Sequence, residues 1–203
     1  MKKLFGLMIA FMIVQSAFAQ RAGGFRFGMD MGAAIPQNGG IGALFNLEPQ
    51  ILLKDNLAFG VRFGIAGLAK DVTYYNIAED YEGEVSGNAS ITGTLNYFFN
   101  NGNSRVAPYL GAGFGYYALS SVRIDSNDLT QDEIGNLEAS FAWAPMLRAG
   151  VELGKFRIGA EYNLVPPSNL QNLSGQVIGE AINQYIGFTL GFTIGGGRWG
   201  KEF

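Results

Sequence analysis

The chain has 203 residues, enough for one domain with an enclosed core, and 30 of them are glycine. It contains neither cysteine nor histidine, which excludes disulfides and thiolate metal sites and removes the commonest general base, so no metal or cofactor is expected. The formal net charge of −3 argues against a nucleic-acid partner.

The first 19 residues have the organisation of a cleaved signal peptide. Lys2 and Lys3 precede an apolar run over residues 4–14, and Ala17 and Ala19 flank one residue in the small-x-small form of a cleavage site. The apolar run is too short for a membrane-spanning helix. We therefore predict that residues 1–19 are removed and that residues 20–203 form the exported domain.

The segment 147–164 predicts a β-hairpin that turns at Gly154 and Lys155, because glycine at the first of two loop positions suits a type II′ turn. The turn sets the register of both strands and places apolar residues on one face. The other face then carries glycine and two cross-strand pairs of opposite charge, an arrangement that stabilises neighbouring strands. These pairs are Arg148 with Glu161 and Glu152 with Arg157.

Apolar and polar residues alternate through most of the mature chain and predict eight strands. The predicted strands cover residues 25–35, 41–53, 57–68, 88–99, 106–119, 137–153, 156–165 and 183–194. Three tight turns fall on one side, and three long segments, 70–87, 120–136 and 166–180, fall on the other. This asymmetry is typical of transmembrane β-barrels. The predicted fold is all-β, an eight-stranded antiparallel up-and-down transmembrane β-barrel.

The alternative with the same alternation is a soluble, lipocalin-like barrel with apolar side chains inside. A soluble exterior should carry lysine, whereas the lysines of this chain fall in turns or in the tail, at positions 54, 70, 155 and 201. Tyr97, Phe99 and Phe156 near the tight turns, with Tyr116 and Trp143 toward the long loops, fit the two aromatic girdles of a membrane barrel. Both observations favour apolar residues that face lipid.

The polar face then lines a closed interior, the lumen, where an unpaired charge costs several kcal/mol. Its charges balance, and the predicted register adds Glu48 opposite Arg62 as a third ion pair. We interpret the set as a structural ion-pair network and not as a catalytic acid–base array. Its members are Arg26, Asp30, Glu48, Arg62, Arg148, Glu152, Arg157 and Glu161.

Two local departures from regular strands are also predicted. Pro49 and Pro145 fall inside predicted strands, where proline removes a ladder hydrogen bond, and we expect bulges or distorted pairing there. The run of glycines at 195–197 opens no helix, which makes a nucleotide-binding loop a very weak interpretation, and it is expected to be a flexible tail.

The run from Val106 to Tyr116 resembles the P-Y-x-G-x-G-x-G-Y strand of small outer-membrane β-barrels of the OmpA-, OmpX- and OmpW-like families. Gly187, Leu190 and Phe192 in the last strand are similar to the assembly signal of those families. The resemblance implies an outer-membrane location, contact with outer-membrane lipid and insertion by the barrel-assembly machinery. It implies no shared enzymatic activity.

We therefore expect a non-enzymatic, monomeric barrel with a plugged, charge-paired lumen and a structural or surface-interaction role. A surface partner could bind the acidic loops 70–87 and 120–138, whereas calcium on the acidic segment 125–133 is disfavoured because its spacing matches no EF-hand loop. The alternative is an OmpW-like conduit for small hydrophobic molecules, which large inward apolar groups such as Leu44 and Tyr117 would favour.

Overall fold

A computed structural model describes residues 22–70, 73–74, 84–100, 104–123, 139–171, 176–197 and 199. The predicted signal peptide, the acidic segment 125–133 and most of the predicted acidic loops lie outside the described residues. Within the described part of the chain, no helix has the length and apolar composition of a membrane span.

Eleven strands are formed by the described residues, and eight of them build the barrel. They are β1 (Phe25–Pro36), β2 (Ile41–Lys54), β3 (Leu57–Lys70), β4 (Thr73–Tyr74), β5 (Glu84–Phe98), β6 (Val106–Arg123), β7 (Ser140–Leu153), β8 (Phe156–Asn163), β9 (Ser168–Gln171), β10 (Val177–Ala181) and β11 (Tyr185–Gly195). The barrel is closed by antiparallel pairing of β1 with β11 and of β6 with β7. The predicted eight-stranded antiparallel barrel is confirmed.

The β7–β8 hairpin has the predicted register. Leu153 pairs with Phe156 beside the turn, and Arg148 pairs with Glu161 further along the ladder. Gly154 has a φ of 66°, the left-handed value that the first turn position requires and that glycine adopts without strain.

All three segments predicted as long loops contain more strand than expected, since β6 also continues to Arg123. β3 and β5 remain paired as far as Lys70 and Glu84, where the prediction placed a loop. The segment 166–180 contains β9 and most of β10, which pair with each other, and β10 also pairs with β4. β9 meets the end of β6 in parallel, at Val122 and Gln171. These short strands lack a long alternating pattern because they pair mainly with one another.

Of the bulges or distorted pairing predicted at the two prolines, no bulge forms at either, because neither shifts the register, but the pairing is interrupted at Pro49. Beside Pro49 the β2–β3 ladder skips two residues of β2 and then resumes unchanged at Gln50. Pro145 accepts a hydrogen bond from Leu164 N at 3.1 Å, just beyond the last β7–β8 pair. Since N–H and C=O of one residue face the same neighbour in an antiparallel ladder, the missing donor of Pro145 faces a site where that ladder has ended. The register shift in β2 instead lies between Leu52 and Lys54.

The outer surface of the barrel is apolar. Phe156 is 70% exposed and Leu190 63% exposed, whereas residues that alternate with such side chains are buried. Aromatic rings gather at both ends of the strands. Tyr97 packs on Phe99 at 5.0 Å beside a tight turn, and Phe114 stacks on Trp143 at 5.6 Å toward the long loops. An apolar wall with aromatic bands is the exterior of a barrel that faces lipid.

Candidate functional site

All eight charged residues predicted to line the lumen are buried in it. They are supplied by β1, β2, β3, β7 and β8, and each is at most 6% exposed. Glycines on the same inward face leave them room, as at Gly28, where an added Cβ would lie 3.4 Å from Nη1 of Arg157. Four arginines and four carboxylates thus occupy one neutral interior.

Arg157 is the centre of the network because it contacts three of the four acids. Its Nη2 donates a hydrogen bond to Oε1 of Glu152 at 2.9 Å. Its Nη1 lies 3.3 Å from both Oδ2 of Asp30 and Oε2 of Glu48. Arg26 also donates to Oε1 of Glu152, which therefore bridges two guanidinium groups.

Arg148 binds Glu48 through a two-pronged contact that spans the lumen. Its Nη1 donates to Oε2 of Glu48 at 2.8 Å, and its Nη2 donates to Oε1. Neutral side chains of β5 complete the site. Arg148 Nε donates to Oδ1 of Asn96 at 2.6 Å, and the Thr94 hydroxyl donates to Oε1 of Glu48 at 2.5 Å. The paired fork geometry is the arrangement that arginine favours with carboxylates.

Arg62 and Glu161 form a separate pair toward the loop side. Nη2 of Arg62 donates to Oε2 of Glu161, and Asn163 Nδ2 donates to Oε1 of the same carboxylate at 3.0 Å. The hydroxyl of Tyr117 donates to Oδ1 of Asn163 at 3.0 Å, which ties this pair to the apolar end of the lumen.

The cross-strand ion pairs predicted from register are formed in one case of three. Glu152 and Arg157 bond directly, as their register requires. Arg148 does not bond to Glu161, and Glu48 does not bond to Arg62, although the ladder places each pair side by side or level. The reason is that a long arginine side chain in a narrow barrel reaches acids on the opposite wall as easily as its neighbour. Pairing within the predicted set therefore crosses the lumen.

Apolar layers close the lumen on both sides of the network. The layer at the tight-turn end consists of Leu52, Ala58, Phe98, Ala107, Tyr109 and Trp199. The loop-side layer comprises two clusters, Ala34, Leu44, Ala66, Leu68 and Tyr185, and Tyr117, Leu119, Ala144 and Val165. The sequence interpretation named only Leu44 and Tyr117 as inward apolar groups here. The others follow from strand alternation once the register is known.

The expectation of a flexible glycine-rich tail is wrong for the residues that the structure describes. Lys155 donates to the carbonyl oxygens of Gly195, at 2.6 Å, and Gly197. Trp199 is 4% exposed and lies in the layer at the tight-turn end. No sequence signal predicted this, because a tryptophan after three glycines has no strand period to place it.

Chemically, the arrangement holds charge in place. Every carboxylate of the set faces at least one arginine, and the described residues contain no group of three His, Cys, Asp or Glu side chains that could hold a metal ion. The eight charges therefore stabilise one another in the lumen, where an unpaired buried charge would be costly.

No protein-family model matches the sequence, and a comparison with curated protein sequences gives no match. The fold does match solved structures. Neisserial surface protein A (NspA) is 15% identical with a TM-score of 0.55, over 86% of this chain and 97% of that one. The outer membrane protein OprG from Pseudomonas aeruginosa is 13% identical with a TM-score of 0.54, over 88% and 98%. The fold is that of a small outer-membrane β-barrel.

As expected of an outer-membrane β-barrel, the barrel itself has an even number of strands, eight, with short turns on one side and longer connections on the other. An apolar exterior around a polar interior is the arrangement of a barrel that spans the outer membrane, and this is where the protein is located. By the usual orientation of such barrels, the tight turns face the periplasm and the long connections face the exterior of the cell.

Proposed function

We propose that this protein is a small outer-membrane barrel with a sealed lumen, whose role is structural or is exerted by its external loops through a surface partner. The observation that carries the proposal is the contact of Arg157 with three acids from three different strands, Asp30, Glu48 and Glu152. Together with Arg148–Glu48 and Arg62–Glu161, which join opposite walls, these ion pairs leave the middle of the barrel occupied by side chains.

The apolar layers above and below support the same conclusion. Leu52 and Phe98 on one side of the network are 1% exposed, and Tyr117 and Val165 on the other side are 1% and 0% exposed. An ion would have to cross two apolar layers and displace paired charges between them. Both steps are costly, because ions lose their hydration in such surroundings.

The remaining parts of the proposal come from the sequence. Residues 1–19 direct export and are removed, residues 20–203 are inserted by the barrel-assembly machinery, and the mature barrel is a monomer in outer-membrane lipid. The acidic loops 70–87 and 120–138 are the segments offered to a surface partner. With the carboxylates committed to arginine, the role is non-enzymatic and uses no cofactor.

Planar-bilayer recording tests the sealed lumen. Purified wild-type protein is expected to give no steady openings, and a variant that opens the network and both apolar layers, Arg157→Ala with Phe98→Ala and Tyr117→Ala, is expected to give small ones. Steady openings of the wild type at low applied voltage would contradict the proposal. A porin reconstituted in parallel shows that the assay detects open channels.

A second candidate is a conduit for small hydrophobic molecules that enter from the loop side and leave sideways into lipid. The loop-side layer favours it, because Leu44, Leu68 and Tyr185 line that end of the lumen with apolar surface. Uptake of an uncharged apolar dye into proteoliposomes distinguishes the two. Faster uptake with wild type than with Leu44→Gln favours the conduit, and equal rates favour the sealed barrel.

A further inference from the structure

The chain turns back into the barrel directly after β11. Gly195, Gly196 and Gly197 have φ values of 79°, 66° and 77°, three successive left-handed residues that only glycine adopts readily. A Cβ on Gly196 would lie 2.9 Å from Cβ of Arg26, so the backbone at this point is pressed against the lumen wall. The glycines are therefore required for the close approach as well as for the turn.

Trp199 fills the tight-turn mouth that this reversal reaches. Its ring lies 5.1 Å from the ring of Phe98, which in turn has the guanidinium carbon of Arg26 at 5.0 Å from its centre. Its Nε1 donates a hydrogen bond to Oε2 of Glu152 at 2.7 Å. One oxygen of this carboxylate thus serves Trp199, while the other, Oε1, serves the arginines.

We propose that Trp199, carried on the glycine turn 195–197, is a stopper that blocks water access from the tight-turn side to the Glu152 end of the ion-pair network. The inference deepens the proposed sealed lumen and rests on it. The attachment is strong enough to close the mouth, since it buries an indole. The ring contacts, the indole hydrogen bond and the Lys155 contacts with the carbonyls of the glycine turn hold Trp199 in the mouth.

Cysteine accessibility tests the stopper, because the native chain has no cysteine. Ala58→Cys places a thiol in the layer around Trp199, and Ala66→Cys places one in the loop-side layer as the matched control. Adding Trp199→Ala should raise the labelling rate of the thiol at position 58 by a charged, membrane-impermeant thiol reagent at least tenfold and leave that of the thiol at position 66 unchanged. Equal labelling at position 58 with and without Trp199 overturns the proposal.

Three further arms keep the result interpretable. Trp199→Phe keeps a ring but loses the hydrogen bond, so its labelling rate at position 58 should lie between those of the chain with Trp199 and of Trp199→Ala. Added indole should slow labelling at position 58 in Trp199→Ala, because it refills the site. If indole has no effect and both introduced thiols become reactive, the barrel has loosened generally, and the proposal is overturned. In a Trp143→Phe background, Trp199 fluorescence should resist quenching by both iodide and brominated lipid, and strong quenching by either also overturns it.

The bilayer recording separates failure of the stopper from failure of the sealed lumen. A silent wild type with equal labelling at position 58 rejects the stopper alone. A conducting wild type rejects the sealed lumen, and with it the stopper.

Discussion

Arg148 and Glu161 face each other in the β7–β8 ladder, but their charged groups do not bond to one another. Arg148 binds Glu48 on β2, and Glu161 binds Arg62 on β3. Both residues of this hairpin therefore pair with charged groups on the opposite side of the barrel. For these two residues the contacts across the barrel, and not the ladder, determine which charges are paired, whereas Glu152 and Arg157 pair within the ladder.

A pair of double-mutant cycles on the free energy of unfolding checks this assignment. Arg148→Met combined with Glu48→Gln should give a coupling energy of about 1–3 kcal/mol, because the two groups are in direct contact. Arg148→Met combined with Glu161→Gln should give a clearly smaller coupling energy, because these two groups are not bonded to each other. The larger coupling in the Glu161 cycle would show that the ladder neighbour is the true partner.

Loss of the central arginine should be severe. Arg157→Met leaves Asp30, Glu48 and Glu152 buried with fewer cations, and breaking a buried pair in this way costs about 3–5 kcal/mol. Arg105→Met is the control, because Arg105 is exposed beside the turn before β6 and its loss should change stability by less than about 0.5 kcal/mol. Urea unfolding in detergent micelles or lipid vesicles measures both. Similar midpoints for the two variants would argue against a central role for Arg157.

The lipid-facing wall predicts the cost of an outward charge. Leu190 is 63% exposed in the middle of β11, and Leu190→Arg should lower the free energy of unfolding in bilayers by about 2–4 kcal/mol. Leu190→Ala controls for loss of the side chain itself. If the arginine were no worse than alanine, this surface would have to face water.

Alanine substitutions at two glycines on neighbouring strands distinguish the effect of packing in the lumen from the effect of β-strand propensity. A Cβ on Gly115 would clash with the carbonyl oxygen of Ile91 and lie 2.5 Å from Cα of Thr92, so Gly115→Ala should be destabilising. On Gly93, the nearest atom would be a carbonyl oxygen at 3.8 Å, an ordinary contact. Gly93→Ala should therefore be neutral or stabilising by up to about 1 kcal/mol. Thermal unfolding of the two variants gives the comparison, and an equal loss in both would refute the packing explanation.

The sequence predicts the barrel well because a period of two is imposed over strands of eight or more residues. Lipid on one side and a crowded lumen on the other select opposite residue types at successive positions, as in β3, where Phe63 and Ile65 face out and Arg62 and Gly64 face in. Turn chemistry then sets the register, as at Gly154.

The features that the sequence could not predict depend on distances between side chains in the folded barrel. The choice of Glu48 as the partner of Arg148 depends on the diameter of the closed barrel and on the length of both side chains, and no local pattern encodes either. Placement of Trp199 depends on a reversal at three glycines that is equally compatible with a free tail. The β9–β10 hairpin escaped notice because four or five residues are too few to establish alternation.

The ion pairs of the lumen join parts of the chain that are very far apart in sequence. Arg157 and Asp30 are separated by 127 residues, Arg26 and Glu152 by 126, and Arg148 and Glu48 by 100. These contacts can form only when β1 has met β11, so a half-assembled barrel holds unpaired charges. We therefore expect slow folding, as long-range contacts require, that is close to all-or-none, since only the Glu152–Arg157 pair can form within a single hairpin. Full pairing of the buried charges is thus reached only when the last strand has paired with the first and the barrel is closed.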